Sequence, residues 1–263
     1  MPEAGEMKKP LIALLFLLSS AFSQAQTLVS VHPVALLMRS AWPGIDVITL
    51  LPPGASPHHF SLKPSQVAEV KRAQHVIWLG EGLEPYLVKL LRDQPGNLAL
   101  SPHADHHAAE HIWLEPNKVL PMLANIQQAL NLPEPVQFKQ DWLALDARLK
   151  SRLQVYHGAQ LVAYHPALEA WLAYYGLPLG DVITQDPEQP VGSRHLSKLA
   201  GDFRSGKVQC LISEPEANRA LEDKLLQGST AQRMQFDPMA YSQQSFLGFY
   251  AAIADDLSTC LQH

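Results

Sequence analysis

At 263 residues the chain is long enough for one large or two modest domains, and its 47% hydrophobic content is that of an ordinary globular core, which excludes a disordered polypeptide. A formal net charge of -5, with no clustered basic stripe, excludes nucleic acid as an expected partner. The 12 histidines are the unusual feature, because neutral imidazole is the commonest metal ligand.

The amino terminus reads as an export signal. Met7-Lys8-Lys9 is a short basic region, Leu11 to Phe22 an apolar run too short to span a bilayer, and Ser23-Gln24-Ala25 a small-x-small cleavage site. Residues 1–25 are therefore expected to be removed and the remainder exported to the periplasm. No cysteine follows the apolar run to carry a lipid anchor, and no later segment is apolar enough for membrane insertion.

Further along, short apolar runs alternate with helical patterns. Leu28 to Val31 reads as a strand, and His32-Pro33 opens a helix, since proline suits a first helical turn. Val47 to Leu51 is a second strand, feeding a polar loop that carries His58 and His59. A helix to Lys71, the strand His75 to Leu79, a helix from Glu84 to Leu91 and the strand Leu98 to Leu100 follow. Ser101 to Glu110 holds His103, His106 and His107 in a polar tract without apolar period, suited only to weak auxiliary metal binding. His111 stands where that tract meets the apolar run Ile112-Trp113-Leu114, before a helix expected from Glu115-Pro116 to Leu130.

Phe138, Trp142, Leu145, Leu149 and Leu153 recur at spacings of three and four and predict one long helix from Val136 to Tyr156. The alternation then resumes. A strand from Ala159 to Tyr164 ends at His165-Pro166, a helix runs to Tyr175, and Val182 to Thr184 is a strand. The helix Ser193 to Phe203, the strand Val208 to Ser213, a helix from Glu216 to Leu226, an approach through Met234 to Asp237-Pro238, and the closing helix Ser245 to Leu261 complete the chain. This predicts an α/β fold of two similar lobes, each a mostly parallel sheet flanked by helices. The N-terminal lobe covers 26–132, the linking helix 133–158 and the C-terminal lobe 159–263.

Loops leaving the carboxyl ends of strands are where open α/β sheets bind ligands. His58 or His59, His111 and His165 all stand at strand-to-helix transitions, two in the first lobe and one in the second. Zinc takes such nitrogens in a four-ligand tetrahedron, and the fourth ligand is then a carboxylate, for which Asp237 is placed, or water. Three imidazoles disfavour manganese, which prefers oxygen ligands. Taken alone, His165 also suits a hydrogen-bonded core histidine, and Asp237 a turn former or helix cap. Glu214 reads as a helix start or as a carboxylate orienting a ligand imidazole. His32, His75, His157, His195 and His263 read as surface or packing residues. His107 to His111 also matches H-x-x-E-H, whose zinc-hydrolase chemistry would need a helix aiming Glu110 at the metal, and no apolar period supports one. Cys210 and Cys260, the only cysteines of an exported chain, are expected to pair as a disulfide; a cysteine metal site would need more thiols or closer spacing.

Gly54-Ala55-Ser56-Pro57-His58-His59-Phe60-Ser61-Leu62-Lys63-Pro64-Ser65 resembles the segment G-A-S-x-H-D/H-Y/F-S-L-x-P-S of the periplasmic zinc-binding proteins of Znu-type ABC transporters, cluster A-I of the solute-binding proteins. His111-Ile112-Trp113-Leu114-Glu115-Pro116 is similar to their H-x-W-L-D/S-P segment, and Ser213-Glu214-Pro215 and Asp237-Pro238-Met239 to their E-P and D-P-L segments. The resemblance covers nearly the whole exported chain. It implies two lobes joined by one rigid helix, with Zn2+ in the cleft on His58 rather than His59, on His111 and on His165. Manganese-binding relatives carry glutamate at the third position, so His165 points to zinc. Cys210 and Cys260 match the disulfide of Gram-negative members. The resemblance also implies a non-enzymatic carrier, expected to be a monomer, that hands zinc to a membrane permease. A manganese carrier of the same family and a zinc hydrolase are the alternatives. The chain departs from the family in its short histidine tract and in Pro57, which cannot coordinate.

Overall fold

Short apolar runs, each followed by a helix, build two four-stranded sheets in the computed structural model, which describes residues 26–58, 60–101, 111–187 and 189–262. The expected export signal, His59, the tract with His103, His106, His107 and Glu110, and His263 lie outside the described residues.

The first sheet contains β1 (Thr27–Val29), β2 (Val47–Thr49), β3 (His75–Trp78) and β4 (Asn97–Ala99) in the order β2-β1-β3-β4. The second contains β5 (Leu161–Ala163), β6 (Asp181–Val182), β7 (Cys210–Ser213) and β8 (Gln232–Gln235) in the order β6-β5-β7-β8. Every pairing is parallel, and the two orders are the same, so the lobes repeat one topology. Parallel neighbours need crossovers, which bury both faces of a sheet. In the first lobe these helices are α1 (His32–Ala41), α2 (Pro64–Arg72) and α3 (Pro85–Leu91). Leu28 and Val76 pack outward against Val70, Leu87 and Leu91, while Val29 and Ile77, one residue on, face the central core. Between the sheets run α4 (Val119–Leu130) and α5 (Val136–Leu153); α6 (Glu169–Tyr174), α7 (Ser193–Arg204) and α8 (Arg219–Leu226) cover the second sheet, and α9 (Phe246–Leu261) closes the chain. The outer core of the second lobe repeats the first, with Val162, Leu211, Leu199, Phe203 and Leu225.

The expected face of α5 is buried: Phe138, Trp142, Leu145, Leu149 and Leu153 all point into the core. Trp142 stands edge-on to Tyr250 of α9 with ring centroids 4.8 Å apart. The central cluster runs without a break from Val29 through α5 to Cys260, and α9 also packs on α1, where Ser40 Oγ accepts from the Phe246 N–H at 2.9 Å. Cys210, opening β7, and Cys260, near the end of α9, form a disulfide with Cα atoms 5.7 Å apart.

Several boundaries differ from those expected, three of them with a clear local cause. The helix expected at Pro116 starts as a 3-10 turn, Pro116–Lys118, before α4. The helix expected at Glu216 starts at Arg219, because the Asn218 side chain caps it by accepting from the Leu221 N–H at 3.1 Å. β8 begins at Gln232, ahead of the apolar signal at Met234; it is an edge strand with exposed glutamines at both ends.

Candidate metal centre

The carboxyl ends of both sheets face one cleft. After β2 the chain bonds Ala55 N–H to the Pro52 carbonyl at 3.2 Å, and Gly54 takes φ 78°, a left-handed conformation glycine adopts without penalty. That turn brings round His58, whose N–H donates to Ser56 Oγ at 3.3 Å. His111 opens the 3-10 turn Ile112–Leu114, its carbonyl accepting from the Leu114 N–H at 2.8 Å. Its imidazole stands edge-on to Trp113, 5.2 Å between centroids, and the Trp113 side chain is fully buried. His165 is the extended residue between β5 and the turn that Pro166 begins; it is only 4% exposed.

These three histidines meet. One ligand nitrogen from each lies within 4.8 Å of the others, and ring centroids are separated by 5.2 to 5.9 Å. A tetrahedral zinc with Zn–N bonds of ~2.0–2.1 Å needs nitrogens ~3.4 Å apart, so a small inward movement of the side chains completes the geometry. Glu214, buried after β7, places Oε2 at 2.6 Å from His165 Nδ1, leaving Nε2 as the nitrogen that faces the cleft. Burial pushes the Glu214 carboxyl up, and the contact with His165 opposes that shift. Burial also holds His111 well below its ordinary value of 6.5, with the neighbouring His165 and His58 adding to the effect. Neutral imidazoles are the metal-binding form.

The cavity around the trio measures about 210 Å³ and is lined by Ser56, Pro57, Pro187, Glu214, Glu216, Pro238 and Met239 besides the histidines. Sites for organic ligands usually span ~300–1,000 Å³. The space suits an ion with a water or two.

Asp237 is not brought into this group. Its Oδ1 accepts from the Met239 N–H and its Oδ2 from the Tyr241 N–H, both at 2.9 Å, so the carboxylate shapes its own turn. Of the two readings open to an aspartate before proline, the turn former describes this one. By sequence His32 is expected at the surface or in packing. It bridges the lobes, with Nδ1 3.0 Å from the Met239 carbonyl and its ring stacked on Tyr241. The signal for it was present: His32-Pro33 after β1 repeats His165-Pro166 after β5.

The family model described as zinc-uptake complex component A, periplasmic, matches residues 28–260. The chain belongs to this family. Among relatives of the zinc-uptake component, the high-affinity zinc uptake system protein ZnuA of Haemophilus ducreyi is 26% identical, covering 97% of this chain and 99% of its own. The ZnuA protein of Yersinia pestis is 25% identical, covering 97% and 98%. The periplasmic zinc binding protein TroA from Treponema pallidum superposes with a TM-score of 0.73 at 16% identity, covering 90% of this chain and 99% of that one. At that identity the superposition establishes the shared fold.

Proposed function

We propose that the chain captures Zn2+ in the cleft between its lobes and delivers it to the permease of an ABC transporter, from the periplasm, to which residues 1–25 direct it. The observation that carries this reading is the convergence of His58, His111 and His165 from both lobes on one point, in a member of the zinc-uptake family. The three imidazoles are the protein ligands, and water completes the tetrahedron. The protein is a solute-binding component, not an enzyme: it has only to bind, shield and release. Among the described residues no helix is long and apolar enough to cross a membrane.

Zinc is expected to raise the melting temperature of metal-free protein, since at a free concentration ~100 times the dissociation constant a ligand stabilises the folded state by ~2.7 kcal/mol. Thermal melts with and without Zn2+, together with mass spectrometric metal analysis of chelator-free protein, test the function. A melting temperature indifferent to zinc would overturn it, and bound manganese in place of zinc would reassign the cargo.

Glu214 holds the His165 ring in the tautomer that presents Nε2. Glu214→Gln keeps the shape and removes the charge, and is expected to weaken zinc binding roughly tenfold, the usual scale for a partner of a metal-bound histidine. Competition against a chromophoric chelator measures it.

A pH effect follows from His111. Its folded value lies below 6.5, the ordinary value it regains on unfolding, so between the two the unfolded chain binds more protons. Stability of the metal-free protein is therefore complete above that window and falls as pH drops through it, by at most ~1.4 kcal/mol per pH unit. Melts at successive pH values should show this slope in the wild type and a shallower one in His111→Ala.

A further inference from the structure

The segment after β8 leaves the second lobe and lies against the first. Asp237 shapes it: besides the two amides its carboxylate holds, its carbonyl accepts from the Ala240 N–H at 3.0 Å. Ala240 is buried and kept at φ 54°, a conformation that costs a non-glycine residue free energy and persists only where the surroundings enforce it. The turn aims its groups across the cleft. The Pro238 carbonyl accepts from Trp113 Nε1–H at 2.8 Å, and the Met239 carbonyl lies 3.0 Å from His32 Nδ1. The Tyr241 hydroxyl donates to the carbonyls of Leu51 at 3.2 Å and Pro52 at 3.1 Å, and its ring stacks on His32 with centroids 4.9 Å apart.

The first-lobe partners adjoin both of that lobe's histidine ligands. Trp113 is two residues past His111 and packs edge-on against its ring; Leu51 and Pro52 open the loop that carries His58. Met239 and Pro238 themselves line the cavity. One short turn, hanging from the lobe that supplies His165, thus grips the supports of His58 and His111.

We infer that Asp237 is a positioning residue: without touching the metal, it holds the 237–241 turn as a latch that sets His165 against His58 and His111. This rests on the reading of the three histidines as the zinc site. The latch tunes how tightly the cargo is held and how fast it leaves, because the spacing of the ligands across the cleft depends on it.

Asp237→Ala and Tyr241→Phe distinguish a latch from a ligand. Phenylalanine removes only the hydroxyl bonds to Leu51 and Pro52, and the Tyr241 hydroxyl is not among the groups at the trio. Losing the bonds of the turn is expected to weaken zinc binding about tenfold in Asp237→Ala and about threefold in Tyr241→Phe, with release to a chelator accelerated to match. The visible d–d bands of the Co2+-loaded protein should keep their position and intensity in both variants, since no ligand is lost. A shifted or weakened band in Asp237→Ala would make Asp237 a ligand and overturn the inference; so would wild-type affinity and release rate in both variants. Should Asp237→Ala fail to fold, Tyr241→Phe alone carries the affinity and release tests. Failure of the zinc site itself is read separately, on a His165 variant whose latch is intact.

Discussion

His165→Ala is expected to weaken zinc binding by several hundredfold while the metal-free protein still folds. Structural zinc in zinc-finger peptides is worth ~10–16 kcal/mol at neutral pH over four ligands, so one ligand's share is ~2.5–4 kcal/mol, and each ~1.4 kcal/mol is a factor of ten. His165 is the only one of the three histidines on the second lobe, and its removal leaves the other two on one wall of the cleft. It also leaves the buried Glu214 carboxyl without the imidazole 2.6 Å away, so that carboxyl becomes still easier to protonate. Calorimetric titration measures the affinity, and circular dichroism the fold. Undiminished zinc binding would remove His165 from the site and, with it, the two-walled cleft.

Opening the Cys210–Cys260 disulfide is expected to be the most destabilising change that leaves the site intact. The bond ties residues 50 apart in sequence, and in the chain-entropy treatment closing a loop of that length restricts the unfolded chain by about 4 kcal/mol. For a protein of this size that corresponds to a melting temperature lower by roughly 8–16 °C. Cys210 begins β7, whereas Glu214 and the cleft lie beyond the strand's other end, so zinc affinity should remain near wild type. The double variant Cys210→Ser, Cys260→Ser, compared with the oxidised wild type by melting and by zinc titration, checks both halves. A melting temperature unchanged within a few degrees would show that the central core, continuous from Val29 to Cys260, already restrains α9 without the bond.

Periodicity along a single element made much of the fold legible. The three-and-four spacing of Phe138, Trp142, Leu145, Leu149 and Leu153 states a buried stripe, and all five are buried. Boundaries were less legible where a side chain competes with the backbone pattern, as at Asn218, whose cap begins α8 at Arg219 rather than at the expected Glu216. The start of β8 was not legible because Gln232, at an exposed edge-strand position, carries no hydrophobic signature ahead of Met234.

The sequence by itself determined that strands and helices would alternate into two lobes and that three histidines would stand at strand ends, since these depend on residues a few positions apart. Likewise it determined that two lone cysteines would be each other's partner. Tertiary structure alone decided that His58, His111 and His165, far apart along the chain, share one point, and which nitrogen of His165 Glu214 occupies. It also placed the Asp237 carboxylate on the amides of Met239 and Tyr241. Convergence across the cleft needs residues from both lobes, which no local pattern specifies, whereas the amide bonds from Met239 and Tyr241 to Asp237 span only two and four residues.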